Sequence, residues 1–211
     1  MEANAHCRLA ACAPGKNMSE KQTLSEKYFE DVYAAKDDPW NFTTSEYEAK
    51  KYAATLESLP RENYANAFEI GCSIGVLTEK LAVKCGKLLA VDVSEKALAQ
   101  ARERCKNLPQ VTFQKMSVPQ EFPNEKFNLI LISEVGYYLA PEDWQTAAEK
   151  LFAHLTEKGQ IALVHWLPPV HDYPQTGDEV HDSFAEFVRE KMQNLHRSRE
   201  ENYRLDVWEK L

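Results

Sequence analysis

The chain has 211 residues, of which 44% are hydrophobic and 27% are charged, and its formal net charge at pH 7 is −8. This composition is typical of a single globular domain with a substantial core. The acidic balance argues against nucleic acid as the main partner, because phosphate contacts need clustered lysine and arginine. No apolar run reaches the roughly 20 residues that cross a bilayer, so the sequence predicts no membrane partner.

The N-terminal residues and the cysteines indicate the compartment. Residues 1–17 lack the apolar stretch of about 7–15 residues that a signal peptide needs. We expect a disordered tail or a cloning remnant there, which leaves one domain over residues 18–211. The cysteines form no C-x-x-C pair, and their odd number favours reduced thiols in a cytoplasmic protein. They are Cys7, Cys12, Cys72, Cys85 and Cys105.

Residues 18–60 are predicted to form an N-terminal helical cap. Their aromatic-rich sequence contains SEKYFEDVYAAKDDPWNFTTSEYEAKKYAATLESLP, which indicates two helices joined by a turn at DDPWNF. The proline and the paired aspartates favour a turn at that point because they disfavour a continuous helix.

Strands alternate with helices from residue 64 to residue 166. Apolar residues recur at helical spacing between the predicted strands, with Ser94 as an N-cap and Pro141 in a first helical turn. This alternation predicts βαβ units in a mostly parallel α/β sheet, which binds ligands at the carboxyl ends of its strands. The predicted strands are NAFEI, KLLAVDV, VTFQKM, KFNLILIS and QIALVHW.

Residues 167–211 follow the last of these strands. LPPVHDYPQTGDEVHDSF is punctuated by proline and too polar for a core, so it is predicted to be a loop. VHDSFAEFVREKMQNL is predicted as one helix, and ENYRLDVWEKL as a closing, antiparallel strand. We therefore expect six or seven strands, without a full terminal hairpin.

The stretch AFEIGCSIGVLTEKLA places Gly71 and Gly75 at a strand-to-helix turn, with Ser73 between them and Glu69 just before. Glycine lets the backbone approach a ligand closely, and the next helix offers free N–H groups. Asp92 ends the second strand at the same sheet edge and can accept hydrogen bonds from a ribose diol. A tight turn would explain two glycines alone, but the two acidic residues indicate a cofactor site.

A dinucleotide site is the alternative cofactor interpretation, and it would belong to a dehydrogenase. Such sites carry G-x-G-x-x-G. The third glycine is missing here, and no arginine of the NADP type follows Asp92 directly. The spacing instead favours a smaller nucleoside cofactor.

The segments E-x-G-x-x-x-G, VDVS and FNLILISEV resemble class I S-adenosylmethionine-dependent methyltransferases over about residues 64–166. The DPW element and H-W…TGD-x-VH are similar to the NodS-like branch, over nearly the whole chain after Met18. That branch consists of nodulation protein S type N-methyltransferases, which act on an amino sugar of a chito-oligosaccharide. The resemblance implies a Rossmann-like three-layer αβα sandwich, S-adenosyl-L-methionine as cofactor and S-adenosyl-L-homocysteine as product. Ser73 departs from the family, which has glycine at that position.

The resemblance also implies which residues contact the cofactor. The methionine part would lie on the turn after the first strand, the ribose on Asp92, the adenine on residues that follow the second and third strands, and the sulfonium beside the end of the fourth. The N-terminal cap would close over it, with Lys51 as a partner for a carboxylate. The implied set is Trp40, Tyr47, Lys51, Glu69, Gly71, Ser73, Gly75, Asp92, Val93, Met116, Ser117, Val118, Ser133 and Glu134.

Methyl transfer to an amine needs an unprotonated lone pair aimed at the methyl group. We expect Glu134 and His165 to orient or deprotonate the amine, with Tyr138 as a further candidate. The histidines share no i, i+4 spacing and no nearby cysteine, so no metal site is predicted. The predicted acceptor-binding set is Tyr137, Tyr138, Trp166, His171, Tyr173 and His181.

Several functions remain open at this point. The sequence favours an N-methyltransferase acting on a small polar acceptor such as an amino sugar or a deacetylated chito-oligosaccharide. An O-methyltransferase, or one acting on another small molecule, would use the same cofactor. A catalytically inactive protein that binds the adenosyl cofactor is the alternative of another class. We expect a monomer or a homodimer.

Overall fold

A computed structural model describes residues 21–211. The predicted tail over residues 1–17 lies outside these residues, as do Cys7 and Cys12. The other three cysteines, Cys72, Cys85 and Cys105, are buried free thiols.

A seven-stranded sheet forms the centre of the described chain, in the order β3-β2-β1-β4-β5-β7-β6. The first five strands run parallel, whereas β7 is antiparallel to both β5 and β6. The predicted α/β fold with a mostly parallel sheet and an antiparallel C-terminal strand is confirmed. The strands are β1 (Ala67–Ile70), β2 (Leu88–Asp92), β3 (Val111–Lys115), β4 (Phe127–Ser133), β5 (Leu155–Trp166), β6 (Met192–Arg199) and β7 (Tyr203–Lys210).

The helices begin at polar caps that the sequence supplies. Ser94 accepts a hydrogen bond from the backbone N–H of Ala97, as predicted for an N-cap, and Thr176 forms a capping box with Glu179. The helices are α1 (Glu26–Ala35), α2 (Glu46–Ser58), α3 (Val76–Leu81), α4 (Glu95–Arg104), α5 (Pro141–Ala153) and α6 (Gly177–Val188), and short 3₁₀ turns cover Ala82–Lys84 and Gly136–Tyr138.

Strand β4 shows why the central strands carry continuous apolar runs. Ile130 and Ile132 belong to one buried cluster, whereas Leu129 and Leu131 belong to another. Because successive side chains of a strand point to opposite faces, both faces of the sheet are covered. The carboxyl ends of the strands are left as the edge at which a ligand can enter.

The C-terminal segment differs from its prediction. The predicted closing strand is β7, but helix α6 ends at Val188 and Met192–Arg199 is a further strand. The terminal hairpin is therefore complete, and the expectation that it is missing was wrong. The segment MQNLHRSR is polar because β6 lies at the sheet edge, where alternate side chains face solvent. None of the helices within residues 21–211 is long and apolar enough to cross a bilayer.

Candidate active site

A cavity opens at the carboxyl ends of β1, β2 and β4. Its floor is formed by the turn after β1, by residues 92–93 after β2 and by residues 133–135 after β4. Phe29 and Tyr33 of α1 line it from the other side, so the N-terminal cap covers it. This is the edge at which open α/β sheets bind their ligands.

The turn after β1 has a backbone that few residues can adopt. Gly71 and Gly75 both have φ of 81°, in the left-handed region that glycine adopts without strain. A Cβ on Gly71 would lie 2.2 Å from Val135 Cγ2, and one on Gly75 would lie 3.0 Å from the Ala101 backbone of α4. Both glycines are therefore required by their φ angles and by close neighbours.

Ser73 lies between the glycines with φ of 50°. Its backbone N–H donates to Asp92 Oδ2 at 2.9 Å. Its hydroxyl is hydrogen-bonded to the Tyr33 hydroxyl at 2.5 Å. Serine thus keeps the left-handed turn and adds a link to the N-terminal cap that glycine could not make.

Asp92 ends β2 at the cavity wall. Its Oδ1 accepts the Ser94 N–H at 2.9 Å, and its Oδ2 accepts the Ser73 N–H. Burial raises the pKa of this carboxyl to about 6. Each carboxylate oxygen has two acceptor sites, so the group retains capacity for the hydroxyls of a ribose.

Glu69 lies inside the cavity on β1 and is 1% exposed. Its Oε2 has no hydrogen-bond partner within residues 21–211. Burial raises its pKa to about 7. A buried, unpartnered carboxylate oxygen is costly unless a donor or a cation reaches it, so this oxygen fits an ammonium group of a ligand.

Glu134 follows β4 and has φ of 60°. Lys51 Nζ and the Tyr137 hydroxyl each donate to its carboxylate at 2.5 Å, and the Trp166 N–H donates at 2.8 Å. At least three donors therefore engage the carboxylate, which leaves it better suited to orient a donor than to remove a proton.

Lys51 is predicted to close over the cofactor, but it lies between two carboxylates of the protein itself. Its side chain is fully buried, and it pairs with Glu48 at 3.0 Å as well as with Glu134. The opposite charges of these carboxylates raise its pKa although burial opposes them. Tyr47 packs beside it, with the Lys51 ammonium 5.3 Å from the ring centroid. Neither Lys51 nor Tyr47 lines the cavity, so the structure does not bring these two predicted cofactor residues to it. Lys51 instead supports Glu134 from behind.

His165 is buried outside the cavity lining. Its Nε2 accepts the Gly136 N–H at 2.9 Å, and its Nδ1 lies 3.1 Å from His181 Nε2. His181 Nδ1 lies 2.8 Å from Asp206 Oδ2. Burial lowers the pKa of His165 well below its ordinary value, and it also lowers that of His181. Both ring nitrogens are engaged and the side chain does not line the cavity, so the structure does not bring His165 to the acceptor side as the sequence predicts.

Tyr137 and Tyr138 form an aromatic wall of the cavity. The Tyr137 ring is stacked on Tyr173 with centroids 5.0 Å apart, and Tyr173 lies behind the wall. His171 is exposed beside Asp172. Of the predicted acceptor-binding residues, only the two wall tyrosines line the cavity.

The structure brings together most of the predicted cofactor residues. The predicted residues that line the cavity are Trp40, Glu69, Gly71, Ser73, Asp92, Val93, Met116, Ser117, Val118, Ser133, Glu134, Tyr137 and Tyr138. The predicted residues that do not line it are Tyr47, Lys51, Gly75, His165, Trp166, His171, Tyr173 and His181.

Sequence reasoning missed the contribution of α1 and the segment before it. The cavity residues that were not predicted there are Thr23, Leu24, Glu26, Phe29 and Tyr33. The Leu24 N–H donates to the Tyr138 carbonyl at 2.9 Å, which joins this segment to the tyrosine wall. The aromatic residues of α1 were the available signal, but their helical spacing alone does not say which surface they cover.

The charged side chains that line the cavity share one sign. Its charged residues within the described chain are carboxylic acids, and no lysine, arginine or histidine of residues 21–211 lines it. No group of three or more histidine, cysteine or acidic residues in that range has a metal-binding arrangement. The acids are Glu26, Glu69, Asp92 and Glu134.

Comparisons with known proteins place the chain among its relatives. A sequence profile of the family described as Nodulation protein S (NodS) matches residues 21–164. Nodulation protein S of Sinorhizobium fredii is 34% identical over 133 residues, an alignment that covers 61% of each chain. Against four such relatives, the chain spans between 51% and 61% of the relative's length.

Two solved structures are similar over a larger share of the chain. A candidate methyltransferase from Pseudomonas syringae is 34% identical with a TM-score of 0.69, and the match covers 78% of this chain and 99% of that one. N-methyltransferase NodS from Bradyrhizobium japonicum WM9, in complex with S-adenosyl-L-homocysteine, has a TM-score of 0.77 at 24% identity. That match covers 89% of this chain and 99% of the other, and it supports the fold.

Proposed function

The chain belongs to the nodulation protein S family, and from that premise we propose that it is an S-adenosyl-L-methionine-dependent N-methyltransferase. The observation that carries the proposal is the pairing of two carboxylates at neighbouring strand ends in one cavity. Asp92 has capacity left for a ribose diol, and Glu69 has a buried oxygen that fits an ammonium group. An adenosyl amino acid carries both of these groups.

The remaining cavity residues suit the other parts of the cofactor. The turn of residues 71–75 lets a methionine chain approach the backbone closely. Val93, Met116 and Val118 offer apolar surface to an adenine ring. Tyr33 and Trp40 of the cap close the cavity from the opposite side and exclude water.

The bound cofactor would supply an electrophilic methyl group on its sulfonium, and the protein would align the acceptor with it. Glu134 lines the cavity and would accept an N–H of the incoming amine, which would aim the lone pair. Burial raises the pKa of Tyr137 and of Tyr138 well above the ordinary value, so both stay phenols and can donate hydrogen bonds. We assign Glu134 and Tyr138 to the acceptor, and we assign no strong base.

The proposed acceptor is an amine of a small polar molecule such as an amino sugar or a deacetylated chito-oligosaccharide. The charged residues among 21–211 that line the cavity are all acidic, which supports an amine, since an amine is neutral or cationic. The aromatic wall supports a sugar because a tyrosine ring offers apolar surface next to a hydroxyl. We also propose that the protein works in the cytoplasm, as a monomer or a homodimer.

Calorimetry with S-adenosyl-L-homocysteine and with NADH tests the cofactor. We expect binding of the former and none of the latter, and the reverse would overturn the proposal. A methyl-release assay over glucosamine, chitobiose, deacetylated chito-oligomers and simple amines then tests the acceptor. Turnover of a hydroxyl substrate, together with failure of every amine, would replace the N-methyltransferase with an O-methyltransferase. Cofactor binding without any turnover would favour the inactive binding protein.

Asp92→Ala tests the ribose contact. We expect it to weaken the binding of S-adenosyl-L-homocysteine by about 1–3 kcal/mol, the scale of a lost charge-assisted hydrogen bond. Glu103→Ala, on the exposed face of α4, is the control and should leave the affinity unchanged. Equal affinities for the two variants would remove Asp92 from the site.

A further inference from the structure

The histidines of the H-W…TGD-x-VH pattern do not reach the cavity. His165 and His181 are both fully buried, and they lie in contact behind the tyrosine wall. A pattern of buried polar residues away from the ligand needs another explanation, because desolvated histidines are costly unless they are hydrogen-bonded.

The hydrogen bonds of the two rings assign their protons. His165 Nε2 accepts the Gly136 N–H, so the neutral ring carries its proton on Nδ1 and donates it to His181 Nε2. His181 must then carry its own proton on Nδ1, and it donates this proton to Asp206 Oδ2. Arg204 and Arg197 in turn donate to Asp206 at 3.0 and 3.1 Å. These bonds form a chain of donors that runs from Gly136 through His165 of β5 and His181 of α6 to Asp206 of β7, and we call it the histidine relay.

The relay begins on the backbone that carries the tyrosine wall. Gly136 begins the 3₁₀ turn Gly136–Tyr138, directly after Glu134 and Val135. A Cβ on Gly136 would lie 2.6 Å from Val180 Cγ1 and 3.0 Å from His165 Nε2, so this turn lies tightly against α6 and β5. Gln175 holds the far end of the turn, since its Nε2 donates to the Leu139 carbonyl at 2.9 Å.

We propose that His165 and His181 are positioning residues, and that the histidine relay fixes the turn that presents Glu134, Tyr137 and Tyr138 to the acceptor. The C-terminal segment thus controls methyl transfer without touching the acceptor. The inference rests on the proposed function for its kinetic part, whereas the anchoring of Gly136 is measurable without any turnover.

Two predictions separate positioning from general stability. Loss of the Nε2 acceptor frees the Gly136 N–H and lets the wall shift, so turnover falls when the acceptor is saturating. The cofactor residues Glu69, Ser73 and Asp92 lie on other strand ends, so the affinity for S-adenosyl-L-homocysteine stays the same. A general loss of structure would lower both the turnover and the affinity for S-adenosyl-L-homocysteine.

His165→Leu and His165→Gln form the test pair, because the glutamine oxygen can replace Nε2 as an acceptor and leucine cannot. We expect His165→Leu to lower kcat at least tenfold, with the Kd of S-adenosyl-L-homocysteine within twofold of the original chain. We expect His165→Gln to recover kcat to within about threefold. His196→Leu and His196→Gln, on edge strand β6, are matched controls that should change neither quantity.

Hydrogen exchange of the Gly136 amide supplies the readout that needs no turnover. The amide should exchange at least tenfold faster in His165→Leu than in His165→Gln. Long-range proton–nitrogen correlation of the imidazoles should show protons on Nδ1 of both His165 and His181. If His165→Leu does not fold, Asp206→Asn breaks the far end of the relay and should lower kcat in the same way.

The outcomes are distinct. A folded His165→Leu with unchanged kcat, or with equal loss of kcat and of cofactor affinity, would overturn the positioning role. Protons on Nε2 of either ring would overturn the relay. If the original chain transfers no methyl group while Gly136 exchange depends on His165 as expected, the proposed function fails and the anchoring remains.

Discussion

The cavity has two walls that are built in different ways. The turn after β1 and the turn after β4 each contain a non-glycine residue in the left-handed region, Ser73 with φ of 50° and Glu134 with φ of 60°. In the first turn the neighbouring glycines and Asp92, which lies 19 residues away, fix the backbone. In the second turn Tyr137 donates locally, and two further donors come from Lys51, 83 residues before Glu134, and Trp166, 32 residues after it.

This difference separates the two halves of the proposed reaction. The wall that suits the cofactor depends on a short local sequence pattern, because a positive φ and a close approach of the backbone both require glycine. The wall that suits the acceptor depends on side chains from α2, β5 and α6, which meet only in the folded protein. Substitutions that remove one support from each wall measure how independent the walls are.

The largest effect is expected for Lys51→Met, which breaks the second wall. The change leaves Glu48 and Glu134 without their shared buried cation. Loss of one partner from a buried ion pair costs about 3–5 kcal/mol, which urea denaturation would measure. Lys50→Met, at the exposed neighbouring position, is the control and should change the stability by less than about 0.5 kcal/mol. A small effect of Lys51→Met would mean that the carboxylates find other partners.

Gly71→Ala breaks the first wall. Alanine at φ of 81° is strained, and its Cβ would overlap Val135 Cγ2. The two effects together should cost about 2–4 kcal/mol of folding stability and weaken cofactor binding. The double variant with Val135→Ala removes the overlap and should recover part of the stability, while the strain remains. If the double variant recovers no stability, the whole loss in Gly71→Ala comes from backbone strain.

The pH dependence of cofactor binding sharpens the role of Glu69. Burial raises the pKa of Glu69 to about 7, and a ligand ammonium pairs with its ionised form. Below about pH 7 the carboxyl is protonated, so it must release a proton when the ligand binds. The affinity for S-adenosyl-L-homocysteine should rise with pH by up to about tenfold per unit and level off above pH 7. Asp92, with a pKa of about 6, adds a second component at lower pH.

Glu69→Gln removes the titration of Glu69 and leaves that of Asp92. Calorimetry from pH 5 to pH 8 should lose the step near pH 7 in this variant and retain the Asp92 step near pH 6. An unchanged profile in Glu69→Gln would contradict an ionic contact between Glu69 and the cofactor.

The smallest effect is expected for Tyr33→Phe, which removes the link between the first wall and the cap. Loss of the hydrogen bond to the Ser73 hydroxyl should cost about 0.5–1.5 kcal/mol of unfolding free energy. Tyr28→Phe, on the same helix, serves as control. A double-mutant cycle with Ser73→Ala should give a coupling of similar size, and additive effects would show that the two hydroxyls do not interact.

Much of the fold could be predicted from the sequence because apolar runs indicate buried strands and capping residues mark where helices begin. The run LILI of β4 is continuously apolar since both faces of the strand are covered, and Ser94 marks the start of α4 through its own side chain. The edge strand β6 was missed for the converse reason. Its side chains partly face solvent, so MQNLHRSR carries no hydrophobic period that separates a strand from the end of a helix.

The candidate site divides in the same way. The sequence by itself determined the strand-to-helix turn at the sheet edge where we propose that the cofactor binds, since Gly71 and Gly75 are needed there by backbone geometry and Asp92 accepts a hydrogen bond from the turn. Only the tertiary structure decided that Lys51 pairs with Glu134 and that His165 supports Gly136 rather than meeting an acceptor. A long polar side chain can serve either task, and the position of its partner, which is remote in sequence, selects which one it performs.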